Sequence, residues 1–262
     1  MNNPPQIVLA IPTLQYQKGT VDSLLRVMTD NPFSGFVSIT GCLLPYARNK
    51  AIELVYQNNP EFTHVMFIDD DMDAFETQSI LDLLNVDKDI ISGLTVTRRP
   101  PHTIPNKIKV TDEDLKNRIV LKVDFVGMAF TLIKREVLDA VREETPEGPI
   151  WFTMDREPRE SYISDISDFV RDNCMNFFSQ KSEDQRLILG DLLRETIIFG
   201  RTLHLGSILS GEDFAFCKRA KVLGFYSFVH CGVQVGHVGT RTFTIADILC
   251  TEKSQQQSQL VS

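Results

Sequence analysis

Four aspartates stand within five positions of one another in the stretch HVMFIDDDMD, residues 64–73. Four apolar residues, Val65 to Ile68, lead directly into the acids at positions 69, 70, 71 and 73. Carboxylates this close repel one another, and the repulsion must be offset by a cation, a helix N-terminus or solvent. A hard divalent cation takes oxygen ligands and leaves room for phosphate oxygens. The cluster therefore predicts a metal-bound phosphate site; the alternative is a solvated turn in which Asp69 or Asp73 caps the next helix.

Two known aspartate motifs fit this stretch poorly. The D-x-D-x-D spacing that begins at Asp69 is that of a calcium-binding loop, which also needs glycine sixth and glutamate twelfth. Ala74 and Ile80 occupy those positions, which excludes the calcium loop. A phosphatase-type nucleophile also follows an apolar strand, but Asp73 stands where a small β-branched or hydroxyl residue is usual.

Three other stretches carry residue types suited to the same chemistry. Arg48, near the start of a predicted helix, could pair with a phosphate or with the aspartates, or lie on the surface. Glu212 and Asp213 precede an amphipathic helix, where they could cap it or serve as a general base. His237 stands between glycines in VGHVG, which is poorly explained as core filling and suits a neutral imidazole that binds metal.

The first hundred residues alternate between strand and helix patterns, which predicts a parallel α/β sheet. Predicted strands cover residues 6–11, 36–40, 64–68 and 89–94, and predicted helices cover 20–28, 45–57 and 77–84. Pro12 is expected to stop the first strand, and Thr20 and Thr77 are expected to cap their helices. Ligands of such sheets bind at the carboxyl ends of strands, and the aspartates stand at one of those ends.

The second half is less regular. Strands are predicted at residues 121–126, 129–133 and 227–229, and helices at 135–141 and 212–223. Residues 155–200 are charged with a helical pattern, and the polar tail, residues 254–262, is expected to be disordered.

Composition narrows the class of protein. The chain has 262 residues, 42% apolar and 24% charged, with a net charge of −8, which argues against wrapping nucleic acid or anionic membrane by charge alone. Five scattered cysteines without a CxxC pair argue against a disulfide framework or a zinc site. No signal peptide or apolar run of membrane-spanning length is evident, so a cytoplasmic location is expected.

The order of the motifs resembles a GT-A-fold glycosyltransferase of the small family 2-like type found in bacteria and their viruses. The stretches that carry the resemblance are VLAIPT (8–13), LPYARNKAIELV (44–55), HVMFIDDDMD (64–73), ISGLTVTRRPP (91–101), VDFVGMAFTLIKREVLDAV (123–141), GPIWF (148–152), GEDFAFCKRAKVLGF (211–225) and VQVGHVG (233–239). It covers about residues 6–153 and 205–240. It implies a Rossmann-like α/β domain over residues 1–240, with a mostly parallel central sheet flanked by helices. A helical insertion at about 155–204 and a C-terminal extension, 241–262, complete the predicted organisation.

The resemblance also assigns roles to individual residues. It places the nucleotide of a UDP- or GDP-sugar donor near four residues of the first strand and its turn: Ala10, Ile11, Pro12 and Thr13. It implies that Mn²⁺ or Mg²⁺ and the donor diphosphate are held by Asp69, Asp71 and His237, with Asp70 leaning toward ribose or donor sugar. Asp213 of the Glu212-Asp213 pair would be the catalytic base, and the segment around Gly127 and Trp151 would line the acceptor side.

The predicted function is thus metal-dependent, inverting transfer of a sugar to a hydroxyl acceptor of unknown identity. One alternative is a sugar nucleotidyltransferase, although the turn PTLQYQKGT lacks the glycine-rich phosphate loop usual after the first strand of such enzymes. Another is a non-catalytic nucleotide-sugar or glycan-binding module. Residues 155–204 have no counterpart in the resemblance and could form an acceptor lid, a contact of a homo-oligomer, or bulk.

Overall fold

The computed structural model describes residues 4–13, 15–30, 33–40, 43–96, 108–146, 148–153, 155–156, 208–239 and 242–244. The chain forms two compact units, Met1–Phe152 with Phe216–Ser262, and Thr153–Ala215. In the second unit, strand β10 (Asp155–Arg156) pairs antiparallel with β11 (Ile208–Ser210). The helical insertion was predicted at about 155–204; its first two residues form β10, and the rest of it, like the predicted disorder of residues 254–262, lies outside the described residues.

A seven-stranded mixed sheet forms the centre of the first unit, in the order β2-β1-β3-β7-β5-β12-β6. Its strands are β1 (Ile7–Thr13), β2 (Gly35–Thr40), β3 (His64–Ile68), β5 (Ile90–Leu94), β6 (Val120–Val123), β7 (Phe130–Lys134) and β12 (Ser227–Gln234). Five strands run in one direction, and β7 and β6 run against them. The predicted α/β class with a mostly parallel sheet is confirmed.

Helices cover both faces of this sheet. They are α1 (Lys18–Asp30), α2 (Leu44–Asn58), α3 (Thr77–Asn85), α4 (Asp112–Lys116), α5 (Arg135–Val141) and α6 (Glu212–Val222). Val8 and Ala10 of β1 pack in one buried cluster with side chains of α2, α5 and α6. Leu9 and Ile11 pack in a second cluster with α1 and α3. A strand covered on both faces must be apolar throughout, which explains the unbroken apolar run of β1.

One predicted strand boundary is wrong. β1 continues through Pro12 to Thr13 instead of stopping at Pro12. Its pairing with β3 ends at Ala10, so Pro12 borders β2 alone and its missing N–H is tolerated there. The strand patterns did not predict which strands pair; in the sheet, the antiparallel β7 lies between β3 and β5.

Both predicted helix caps are also wrong. α1 begins at Lys18, and the Thr20 hydroxyl donates to the Asp70 carbonyl oxygen at 2.8 Å instead of capping the helix. α3 takes Glu76 as its N-cap, with the Ser79 hydroxyl accepting from the Glu76 N–H at 3.2 Å in a capping box. The Thr20 hydroxyl is thus used in a long-range contact, and the cap of α3 lies one residue earlier than predicted.

A small second sheet joins the acidic stretch to the late histidine. It contains β14 (Thr242–Phe243), β13 (Gly236–Val238) and β4 (Met72–Asp73), in that order. A two-stranded ribbon, β8 (Glu143–Thr145) with β9 (Gly148–Ile150), leads toward the second unit. No helix in the described part of the chain has both the length and the apolar character needed to cross a bilayer.

Candidate metal and nucleotide site

The aspartates stand on a tight turn between β3 and β4. The Asp69 N–H donates to the Ala129 carbonyl at 2.8 Å, and the Met72 N–H donates to the Asp69 carbonyl at 3.2 Å. The turn follows directly on the carboxyl end of β3, which is the edge where ligands of α/β sheets bind. The predicted placement of the acids at a strand end is therefore what the fold shows.

Asp69 contacts a buried arginine. Nη2 of Arg48 lies 3.2 Å and 3.4 Å from the two carboxylate oxygens of Asp69, and Arg48 is only 1% exposed. Burial raises the pKa of Asp69, nearby Asp71 and Asp70 add to the rise, and the Arg48 guanidinium opposes it. Arg48 was expected to pair with a phosphate or with the aspartates, or to lie on the surface, and the structure shows it paired with an aspartate. Metal binding by Asp69 stays a prediction.

Asp70 contacts the loop that joins β1 to α1. Its Oδ2 accepts hydrogen bonds from the Thr13 hydroxyl at 2.8 Å and from the Gln15 N–H at 3.1 Å. Its backbone carbonyl accepts from the Gln17 N–H at 3.1 Å and from the Thr20 hydroxyl at 2.8 Å. Both ends of the loop are thereby attached to one residue of the acidic turn.

Asp73 packs on the first turns of α1. Its Oδ1 accepts from the Ser23 hydroxyl at 3.2 Å and from the Ala74 N–H at 2.7 Å. A Cβ atom on Gly19 would lie 2.6 Å from Cγ of Asp73, so this approach requires glycine at position 19. Asp73 is not the cap of α3, as one interpretation of the sequence expected, since Glu76 holds that position.

Asp71 lies beside His237. Oδ2 of Asp71 is 3.2 Å from Nε2 of His237, although the two residues are far apart in the chain. Pairing of β4 with β13 brings them together, and the Val238 N–H donates to the Asp71 carbonyl at 2.7 Å. The opposite ring nitrogen of His237, Nδ1, lies 2.8 Å from the Val96 carbonyl oxygen. A carbonyl oxygen only accepts, so Nδ1 carries the proton and Nε2 faces the carboxylate.

The distance between Oδ2 of Asp71 and Nε2 of His237 suits two ligands of one divalent cation. Ligand atoms on adjacent positions of an octahedral cation, each about 2.1 Å from it, are about 3.0 Å apart. A histidine that donates its other nitrogen to a carbonyl is the usual arrangement of a metal ligand, because the bond fixes the tautomer and the ring orientation. The described residues contain no group of three or more His, Cys, Asp or Glu side chains suited to a metal ion. Water and phosphate oxygens would supply the remaining ligands.

The four residues expected near the nucleotide lie in a buried strand. Ala10 and Ile11 are 0% exposed, and their side chains fill the two core clusters. Pro12 and Thr13 are also buried, and the Thr13 hydroxyl is bonded to Asp70. The side chains of Ala10 and Ile11 therefore support the edge from within the core instead of forming its surface.

Glu212 and Asp213 stand in the first turn of α6, within the second unit. Glu212 is 9% exposed and Asp213 is half-buried. The helix continues into the first unit, where the ring of Phe216 stacks on that of Phe152 with centroids 4.6 Å apart. The assignment of Asp213 as the base stays a prediction.

The expectation that Trp151 lines an acceptor site is wrong for its side chain. Trp151 is 1% exposed, stacks on Tyr56 with ring centroids 5.5 Å apart, and donates from Nε1 to the Leu138 carbonyl at 2.9 Å. A tryptophan buried with its N–H satisfied belongs to the core. The nearby Gly127 carbonyl accepts from the Thr131 hydroxyl at 2.7 Å.

Asn49 is an organising residue that the sequence analysis missed. Its Oδ1 accepts from the Trp151 and Phe152 N–H groups at 2.8 Å each, and its Nδ2 donates to the Phe152 carbonyl at 2.9 Å. The one available signal was an asparagine, a poor helix former, next to Arg48 inside a predicted helix. The Val96 carbonyl that orients His237 gave no signal, because any residue type supplies that atom.

The chain is similar to several solved structures, but no family can be assigned to it. No model of a known family matches the chain, and no curated protein matches it in sequence. The crystal structure of A197 from STIV has 13% identity and a TM-score of 0.48, covering 89% of this chain and 86% of that one.

Two enzyme structures are also similar. A glycosyltransferase involved in glycosylation of the major capsid of PBCV-1 has 11% identity and a TM-score of 0.32, covering 52% of this chain and 62% of that one. Glucosyl-3-phosphoglycerate synthase from Mycobacterium tuberculosis, solved with Mg²⁺ and uridine diphosphate, has 11% identity and a TM-score of 0.31. That match covers 53% of this chain and 60% of the synthase. No family assignment follows from similarities of this size, and the support for a function lies in the residues of the sheet edge.

Proposed function

We propose that this chain is a divalent-metal-dependent glycosyltransferase of the GT-A type, which moves a sugar from a UDP- or GDP-sugar to a hydroxyl acceptor by inversion. The observation that carries the proposal is the Asp71–His237 pair at the carboxyl edge of the sheet, with Nε2 and Oδ2 at 3.2 Å and Nδ1 held by the Val96 carbonyl. The order of the motifs along the chain adds to it.

In this proposal, one set of residues binds the donor and another activates the acceptor. Asp71 and His237 would hold Mn²⁺ or Mg²⁺. When bound, the cation would offset the charge that develops on a departing nucleoside diphosphate. Asp69 keeps the buried Arg48 guanidinium at the same edge, where a fixed positive charge suits the phosphate oxygens. Asp213 would take the proton from the acceptor hydroxyl as it attacks the sugar.

Metal-dependent nucleotide binding tests this proposal. Calorimetry should show that UDP or GDP binds the protein with Mn²⁺ and fails to bind in EDTA, because the diphosphate needs the cation to offset the acids. Asp71→Asn and His237→Gln should each weaken Mn²⁺-dependent binding by at least about tenfold.

His64→Gln is the matched control for the histidine variant. His64 lies at the start of β3, contacts the Thr63 hydroxyl, and should be dispensable for binding. Equal nucleotide affinity with Mn²⁺ and in EDTA, or full binding by both site variants, would refute the proposal.

A further inference from the structure

Before the loop that joins it to α1, β1 stays paired with β2 as far as Thr13, but its pairing with β3 has already ended. The parallel pairing of β1 with β3 ends at Ala10, opposite Phe67. Beyond that point, Thr13 and Gln15 are joined to the β3 side by the Asp70 carboxylate, through bonds of 2.8 Å and 3.1 Å. The side chain of Asp70 thus continues the connection between the two strands past the end of their ladder.

The same residue also holds the far end of the loop. The Asp70 carbonyl accepts from the Gln17 N–H and from the Thr20 hydroxyl, in and beside the first turn of α1. The bonds at the two ends of the loop have the same lengths, 2.8 Å and 3.1 Å at each end. Since Asp71 is the next residue in the chain, these bonds fix the loop relative to the Asp71–His237 pair.

We propose that Asp70 is a positioning residue, which sets the nucleotide-facing loop against the metal pair and does not itself contact the donor sugar. This inference rests on the proposed function, and it replaces the sequence-based expectation that Asp70 leans toward ribose or sugar. Its carboxylate oxygen Oδ2 already accepts two hydrogen bonds from the loop. The role requires an acceptor oxygen at this position and does not require a negative charge.

Two substitutions of Asp70 separate the two roles. Asp70→Asn keeps an amide oxygen that can accept from Thr13 and Gln15, whereas Asp70→Ala removes it. Calorimetry with UDP and Mn²⁺ should show that Asp70→Asn binds within about threefold of wild type and Asp70→Ala at least about tenfold more weakly. Thr13→Val should weaken binding in the same direction, and its effect should not add fully to that of Asp70→Ala, because both remove one contact.

Exchange of the Gln15 amide proton provides a readout without nucleotide. Its protection should persist in Asp70→Asn and fall at least about tenfold in Asp70→Ala. Asp22→Ala is the control, since Asp22 lies on α1 and pairs with the exposed Lys18 at 2.7 Å. It should change neither UDP binding nor Gln15 exchange.

The outcomes distinguish the inference from the function on which it rests. Binding by Asp70→Asn as weak as that of Asp70→Ala would show that the charge contacts ligand or metal, and would overturn the inference. Unchanged Gln15 exchange in Asp70→Ala would also overturn it. If wild type binds no UDP with Mn²⁺, the proposed function fails. In that case, exchange of the Gln15 amide alone tests whether Asp70 holds the loop. Loss of protection in Asp70→Ala together with retained protection in Asp70→Asn would support this role, and any other pattern would refute it.

Discussion

Asp69, Asp70 and Asp71 stand on one turn and Asp73 in the short strand that follows it, yet the four carboxylates contact four different parts of the fold. They reach a buried arginine of α2, the loop after β1, an imidazole of β13 and the first turns of α1. The repulsion that the sequence suggested is thus offset by several separate partners. Of the four, Asp71 has the contact best suited to share a cation.

The position of the acids at a strand end could be predicted, because an apolar strand is a local pattern. A role for His237 stays a prediction, drawn from its place between glycines. The partners of Asp70 and Asp73 could not be predicted. Thr13, Ser23 and Gly19 are ordinary strand and helix residues, and their contacts with the turn depend on how α1 packs.

The proposed role of Asp213 as the base can be tested by substitution. Asp213→Asn should keep Mn²⁺-dependent UDP binding and slow sugar transfer by about a hundredfold or more, because loss of a general base removes a rate factor of this size. The measurement is release of UDP from the donor that the protein accepts. Asp124→Asn, which removes an exposed partner of Lys221 on the same helix, should leave the rate unchanged. Full turnover by Asp213→Asn would exclude it as the base.

Among the elements, β3 and α5 were predicted best. β3 and α5 have the bounds that their sequence patterns indicate, His64–Ile68 and Arg135–Val141. The insertion of β7 between β3 and β5 was missed, since a strand pattern carries no information about which neighbour it will pair with. The start of α1 was misplaced for a similar reason, because Thr20 makes a contact with Asp70 that lies fifty residues away and that no local propensity encodes.

The contact of Asn49 in α2 with the segment after β9 is expected to stabilise the fold. Asn49→Ala should lower the free energy of unfolding by about 2–3 kcal/mol, because it removes three hydrogen bonds to backbone groups of Trp151 and Phe152. Chemical denaturation with an unchanged m-value measures this.

Gln57→Ala on the same helix is the control. Gln57 is exposed and its side chain donates to that of Glu53 one turn earlier at 3.0 Å, so its loss should cost a few tenths of a kcal/mol. Equal stability of Asn49→Ala and wild type would show that these bonds do not fix the segment.

For the whole molecule, the division into two units predicts which part binds the nucleotide. The turn, its partners and His237 all belong to the unit formed by Met1–Phe152 and Phe216–Ser262. Since the rings of Phe152 and Phe216 stack at 4.6 Å, the two chain ends that flank the second unit are close together.

Replacement of Thr153–Ala215 by a short Gly-Ser linker should therefore leave a protein that unfolds cooperatively, because closing so small a gap costs little entropy. It should still bind UDP with Mn²⁺ and lose sugar transfer, since Asp213 is removed. Denaturation and calorimetry would test both points. Loss of Mn²⁺-dependent binding in a cooperatively folded variant would place part of the nucleotide site in the second unit.

The place of β7 between β3 and β5 also bears on how the chain is made. While the protein emerges from the ribosome, β1, β2 and β3 can pair early, but β5 has no neighbour until Phe130–Lys134 has been synthesised. The other edge of β5 stays open until β12, which begins only at Ser227. An apolar strand with open edges for that long is a template for wrong pairing. We therefore expect Ile90–Leu94 of the nascent chain to need protection until Ser227–Gln234 has been synthesised.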